Sequence, residues 1–144
     1  MEYLIRSKDE MIEFAENIAK QTKKGDIILL NGDLGSGKTF FSNAFINYFN
    51  KIENRDVEQI TSPTFNIVKT YKTNNFTIYH FDLYRIKNIE EVYELDVEDA
   101  FENVSLIEWP DVVRDVLPEG GVIDINIEVV DGEYRRVFIK EKIY

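Results

Sequence analysis

Residues Gly32-Asp33-Leu34-Gly35-Ser36-Gly37-Lys38-Thr39 read as G-x-x-x-x-G-K-[ST], and this string constrains the chain more than any other. It carries information only between a buried strand and a helix, and both flanks are present. Asp26 opens the continuously apolar run Ile27-Ile28-Leu29-Leu30, too short for a helix and suited to a strand covered on both faces. Behind the string, Phe41, Ala44, Phe45, Tyr48 and Phe49 recur at i, i+3, i+4, i+7 and i+8, the stripe of a packed helix. The glycines let successive amides turn inward toward phosphate oxygens, and the helix adds its positive end. Gly32, Leu34, Gly35, Ser36, Gly37, Lys38 and Thr39 are therefore the candidate nucleotide-phosphate site. In it Lys38 would reach the β- and γ-phosphates, and the Thr39 hydroxyl would face a bridging Mg²⁺.

The rest of the chain supplies a fold for that unit. Ser7-Lys8-Asp9-Glu10 has capping-box spacing, and Met11, Ile12, Phe14, Ala15, Ile18 and Ala19 continue a helix toward Gly25. Asn66 to Lys72 and Phe76 to Leu83, split by Thr73-Asn74-Asn75, predict a hairpin. Ile89 to Phe101 predicts one or two short helices, and Val104 to Trp109 a second buried strand stopped by Pro110. Val122 to Val130 and Glu133 to Lys140 flank Asp131-Gly132, a tight-turn pair, with Ile123, Ile125, Ile127 and Val129 alternating. The expectation is one α/β domain over residues 1–144, a P-loop nucleotide-binding unit. Its mixed sheet has a parallel centre, antiparallel hairpins at the edges and flanking helices.

Composition removes several classes. Seventeen basic against twenty-seven acidic residues leave a net charge of −10, which repels a phosphate backbone, so autonomous nucleic-acid binding is not expected. The chain has no cysteine, which excludes disulfides, thiolate catalysis and Cys-ligated metals. No apolar run nears the ~20 residues of a membrane span, and a soluble cytoplasmic protein is the expectation.

A phosphate loop needs an acidic partner at the end of a neighbouring strand. Glu108, after Val104-Ser105-Leu106-Ile107, and Asp82, after Phe76 to Phe81, both fit. GTPase signatures are missing: Asp82 is followed three positions later by Arg85 instead of Gly, and Asn50-Lys51-Ile52 ends in Glu53 instead of Asp. No arginine-rich insert suggests a metabolite kinase lid. Adenine nucleotide hydrolysis, or ATP-gated binding, is the better account.

Four strings occur in order: the glycine loop, Ser62-Pro63-Thr64-Phe65, His80-Phe81-Asp82-Leu83-Tyr84-Arg85 and Leu106-Ile107-Glu108-Trp109-Pro110. Together they resemble the TsaE (YjeE) family of small bacterial ATPases, which serve threonylcarbamoylation of tRNA adenosine 37. The resemblance implies an ATPase subunit, weak alone, that acts on a complex of TsaD-like and TsaB-like proteins, with tRNA met only through that complex. It implies Lys38 and Asp82 as catalytic residues and Thr39 and Glu108 as Mg²⁺ ligands. Asp82 would position the attacking water or reach the metal through water. Ser62, Pro63 and Thr64 look like a switch segment, Tyr84 and Arg85 like switch or partner-facing residues, and Trp109 like a cover on the site. His80 shares a strand face with Asp82 and reads as a hydrogen-bonded structural residue rather than a base.

The family's adenine pocket draws on the N-terminal segment and the last hairpin, which makes Glu10 and Arg135 candidates. Helix capping and an Arg135–Glu128 cross-strand pair are their alternative uses. Departures from the family pattern are small. Ser36 stands where Ala is frequent and Phe40 where Thr is, and neither removes a backbone amide from the loop. The rival readings are a small-molecule kinase and a non-catalytic nucleotide-gated adaptor.

Overall fold

In the computed structural model, which describes residues 1–142, seven strands form one sheet in the order β1-β7-β6-β2-β5-β4-β3. The strands are β1 (Glu2–Ile5), β2 (Ile27–Asn31), β3 (Val68–Lys72), β4 (Thr77–Asp82), β5 (Val104–Glu108), β6 (Val122–Asp131) and β7 (Tyr134–Lys142). The helices are α1 (Lys8–Gln21), α2 (Lys38–Ile52), α3 (Ile89–Tyr93) and α4 (Val97–Glu102), with a 3₁₀ segment over Pro110–Val116. Strands β6, β2, β5 and β4 run parallel, while β7, β1 and β3 pair antiparallel outside them. The expected mixed sheet is therefore present. No helix among the described residues is long and apolar enough to cross a membrane.

The alternation of β2 divides the core. Ile28 and Leu30 face the side covered by α1 and α2, with Phe41, Phe45, Ile78, Leu106 and Ile125. Ile27 and Leu29 face the side covered by α3, α4 and the 3₁₀ segment, with Phe81, Val92, Ala100 and Ile107. This two-sided burial explains why β2 reads as an unbroken apolar run up to Leu30, and why β5 is buried along its length with Ser105 as its one polar residue before Glu108.

Three local details differ from the sequence reading. Strand β1 was not foreseen: its short run carries only Ile5 into the core, and its partner β7 lies at the far end of the chain. The final hairpin turns at Gly132-Glu133, not Asp131-Gly132, because the ladder pairs Asp131 with Tyr134 after a register shift beyond Val129. Gly132 takes the left-handed first loop position at φ 49°. The alternation of β6 holds at Ile125 and Ile127 but lapses at Val129, which is exposed where the hairpin leaves the helix-covered sheet.

At the start of α1, Ser7 Oγ accepts from the Glu10 amide at 3.1 Å, while Glu10 Oε1 accepts from the amide of Arg6 at 3.2 Å. The capping box is thus offset by one residue. Along α2 runs an aromatic ladder: Phe41 and Phe45 stack with ring centroids 6.1 Å apart, Phe49 meets Phe45 edge-on at 5.7 Å, and Phe76 continues it edge-on. Phe45 is fully buried in this ladder, so Phe45→Ala should cost about 3–5 kcal/mol in urea unfolding. Phe65→Ala, which truncates a ring 86% exposed, should change stability by less than ~0.5 kcal/mol.

Candidate functional site

Strand β2 delivers the chain to the sheet's C-terminal edge, where Gly32 to Gly37 wrap over the start of α2. Gly32 has φ +152°, and a Cβ there would lie 2.4 Å from Ser36 Oγ and 2.5 Å from the Ile127 carbonyl oxygen. Gly37, at φ +116°, is the residue from which α2 starts. Both positions exclude a side chain for reasons of conformation, and Gly32 also for space.

Lys38 Nζ donates to the carbonyls of Gly32 at 2.6 Å and Asp33 at 3.0 Å, and it stands 4.0 Å from the centre of the Trp109 ring. Burial pulls the Lys38 ammonium below its ordinary value of 10.5, while the carboxylates of Glu108, Asp82 and Asp33 push it the other way. One turn into the helix, Thr39 Oγ1 donates to Glu108 Oε1 at 3.0 Å. Glu108 ends β5, and in register it lies between Leu30 of β2 and Asp82 of β4. The two acids picked from separate strand ends are therefore neighbours. His80 Nε2 lies 2.6 Å from the other oxygen of Glu108, with the ring fully buried.

Asp82 is differently occupied. Its Oδ2 accepts from the hydroxyls of Ser62 at 2.5 Å and Thr64 at 3.1 Å, and its Oδ1 accepts from the Tyr84 amide at 3.0 Å. The Ser62-Pro63-Thr64 segment is thus brought to the site through Asp82. Trp109, at φ +57°, covers the mouth, with Tyr84 against it at 4.8 Å between ring centroids. Arg85 points elsewhere, its guanidinium 5.6 Å from the centre of the exposed Phe65 ring.

Lys38, Thr39, Ser62, Thr64, Asp82, Glu108 and Trp109 line one hollow with Leu34, Gly35 and Gly37. A second, mainly apolar recess adjoins the other flank of the loop, lined by Ile5, Ser7, Lys8, Met11, Gly35 to Gly37, Phe40, Glu133 and Arg135. Of the two adenine-pocket candidates, Arg135 lines this recess, and Glu10 is engaged in capping α1. Arg135 does not pair with Glu128; the ladder sets Arg136 opposite that residue, and Arg135 Nε instead donates to the Ser36 carbonyl at 2.8 Å.

Sequence reasoning missed the buried amides of α2. Asn47 accepts from the Glu58 amide at 2.9 Å and donates to the Glu58 carbonyl at 2.7 Å, while Asn50 donates to Asn47 Oδ1 at 3.0 Å. They pin the segment that leads into Ser62. Two asparagines three residues apart beside an aromatic stripe were the available signal.

Strand, glycine loop, helix, strand-end acids and a parallel sheet centre together define an α/β protein whose loop carries the G-x-x-x-x-G-K-[ST] pattern. A family profile described as "Threonylcarbamoyl adenosine biosynthesis protein TsaE" matches residues 5–138, and the chain belongs to the TsaE family. A Rickettsia felis protein named tRNA threonylcarbamoyladenosine biosynthesis protein TsaE is 47% identical over 133 residues, covering 92% of this chain and 75% of its own length. The Rickettsia typhi protein of that name is 44% identical over 142 residues, covering 97% and 94%. The Bacillus subtilis one is 35% identical over 112 residues, covering 77% and 67%. The crystal structure of Bacillus subtilis YdiB superposes with a TM-score of 0.74 at 26% identity, covering 99% of this chain and 85% of that one.

Two outcomes follow from the loop. Gly32→Ala should lower stability by ~2 kcal/mol, read as a fall of several degrees in the thermal midpoint, because neither Ser36 Oγ nor the Ile127 carbonyl can recede freely. Since the folded-state Lys38 value lies below 10.5, the unfolded chain binds more protons just below that pH. Stability should therefore gain from Lys38 as pH rises through that window, and urea midpoints of Lys38→Met should lack this gain.

Proposed function

We propose that residues 1–144 form one nucleotide-binding unit that binds and hydrolyses ATP with Mg²⁺. In this reading it serves threonylcarbamoyl modification of tRNA adenosine 37 as a cytoplasmic subunit acting on a complex of TsaB-like and TsaD-like proteins. The observation that carries the reading is the 3.0 Å meeting of Thr39 Oγ1 with Glu108 at the mouth of the glycine loop, with Asp82 beside it in register. Membership of the TsaE family and the printed role of its named relatives support the pathway.

The donor set suits a hard cation. A hydroxyl and a carboxylate supply two oxygens, leaving the remaining positions to phosphate and water, the division that Mg²⁺ favours. Thr39 and Glu108 would hold it, and when bound it would neutralise charge on the β- and γ-phosphates. Lys38 places a cation at the loop mouth for the same oxygens. Asp82 holds the hydroxyls of Ser62 and Thr64 beside the site and, in this reading, orients the attacking water, directly or through them. The apolar recess flanked by Arg135 and Phe40 offers a flat base an enclosed surface next to the loop.

Among the described residues, none of the side chains lining the hollow beside Thr39 is an arginine. Transition-state charge on the phosphoryl group is then incompletely met, and stimulation by assembly is the natural remedy. A net charge of −10 agrees with tRNA being held by the partners.

The test is ATP hydrolysis by the purified protein, alone and with its cognate TsaB–TsaD pair, with and without Mg²⁺. A low Mg²⁺-dependent rate that rises strongly with the pair is expected. A rate indifferent to the pair overturns the assignment of partners. Turnover that needs an added small acceptor would point to the kinase reading, and ATP left intact in the full complex to the adaptor. Lys38→Ala should reduce turnover by on the order of 10²-fold or more. Glu108→Ala should weaken Mg²⁺-dependent nucleotide binding more than Asp82→Ala, which should mainly lower kcat.

A further inference from the structure

His80 is the only histidine in the chain, and its place in the fold is hard to explain by packing alone. It lies on β4 with 0% exposure, on the sheet face shared with Ile78, Val104 and Leu106, where an aliphatic residue would complete the core. Among the described residues its Nδ1 has no hydrogen-bond partner, which is unfavourable for a buried polar atom. What the imidazole gains among the described residues is a single hydrogen bond, Nε2 to Glu108 Oε2 at 2.6 Å. An ionised carboxylate can only accept, so Nε2 carries the proton in that contact.

The two oxygens of Glu108 are thus held from opposite sides. Oε2 is committed to His80 within the core, and Oε1 meets the Thr39 hydroxyl at 3.0 Å on the side of the loop. Glu108 itself is only 2% exposed, so the carboxylate cannot swing into solvent. A cation placed beside Thr39 is therefore offered one carboxylate oxygen and not two. That difference separates the alkaline-earth ions. Mg²⁺ requires a compact, nearly octahedral shell and accepts a one-oxygen carboxylate readily, whereas Ca²⁺ takes more oxygens at longer distances and often binds a carboxylate through both.

We propose that His80 is a positioning residue that holds Glu108 as a one-oxygen ligand and so sets the site's preference for Mg²⁺ over Ca²⁺. The inference rests on the reading of Glu108 as the cation-facing carboxylate. Hydrogen-bond partners of ligating groups commonly tune metal affinity by ~10–100-fold, which is the size of effect to look for.

The measurement is binding of a fluorescent, non-hydrolysable ATP analogue titrated separately with Mg²⁺ and with Ca²⁺, for the unmodified protein and for His80→Phe, His80→Asn and His80→Gln. Thermal unfolding of each variant shows which are folded. Loss of the Nε2 donor in His80→Phe should raise the half-saturating Mg²⁺ concentration by about tenfold and the Ca²⁺ value much less, lowering the Mg²⁺-over-Ca²⁺ preference by about tenfold. His80→Gln, whose side-chain amide can still reach Oε2, should keep that preference within about threefold of the unmodified protein. If His80→Phe does not fold, His80→Asn gives the decision, because its shorter amide stops short of Oε2. An unchanged preference in the folded donor-lacking variant overturns the proposal, since a purely packing role would lower stability without moving the ratio. Glu108→Gln separates the two levels of argument. If it leaves the Mg²⁺ dependence of analogue binding intact, the reading of Glu108 falls and this inference with it. If it removes that dependence while the His80 variants keep the ratio, only the role of His80 is refuted.

Discussion

The register between β2, β5 and β4 carries the rest of the site, because Leu30, Glu108 and Asp82 stand side by side at one level of the sheet. Side chains alternate along a strand, so a slip of one residue in β5 would send Glu108 to the face of α3 and α4 and bring Ile107 under the loop. Apolar burial on both faces of β2 and β5 prevents that slip: Ile27 to Leu30, Val104, Leu106 and Ile107 are all within the core. The hydrophobic interior and the placement of two carboxylates are thus one constraint seen from two sides. The glycine loop depends on it as well, since Gly32 follows directly from β2 and packs against the Ile127 carbonyl of β6.

Around that level, polar groups are held by several elements at once. Thr39 from α2, His80 from β4 and Glu108 from β5 form one chain of contacts, and Ser62, Thr64 and the Tyr84 amide gather on Asp82. The loop is fastened from a third direction by Arg135, whose Nε–H reaches the Ser36 carbonyl across the recess. The donors gathered on these two carboxylates keep both side chains oriented rather than merely solvated. The buried amides of Asn47 and Asn50 extend the same logic to the segment before Ser62, which has no regular structure of its own to fix it.

Much of this was legible in residue order. Strand β2, the loop and α2 announce themselves because their signals are local: a short apolar run, glycines at set spacing and a stripe of period 3.6. Glu108 and Asp82 were recognisable as strand-end acids for the same reason. Strand β1 was not, since four residues with one buried side chain have no pattern until β7 pairs with them. The hairpin turn was misplaced by one residue because a register shift near Val129 leaves no mark in composition. Arg135 was singled out as a base-pocket candidate with a cross-strand pair as its alternative, but its hold on the loop backbone joins residues 99 apart in sequence.

The sequence by itself determined the class of the fold, the glycine loop and the acids at the strand ends, because each rests on short-range pattern and on backbone freedom that only particular residues possess. Tertiary structure alone decided how those groups are shared. It gave one oxygen of Glu108 to Thr39 and the other to His80, and it committed Asp82 to Ser62 and Thr64. It also took Arg135 away from Glu128 and set it on the loop. The physical reason is that a hydrogen bond between distant residues depends on strand register and on which face each side chain occupies, and both are settled only when the sheet closes around its two cores.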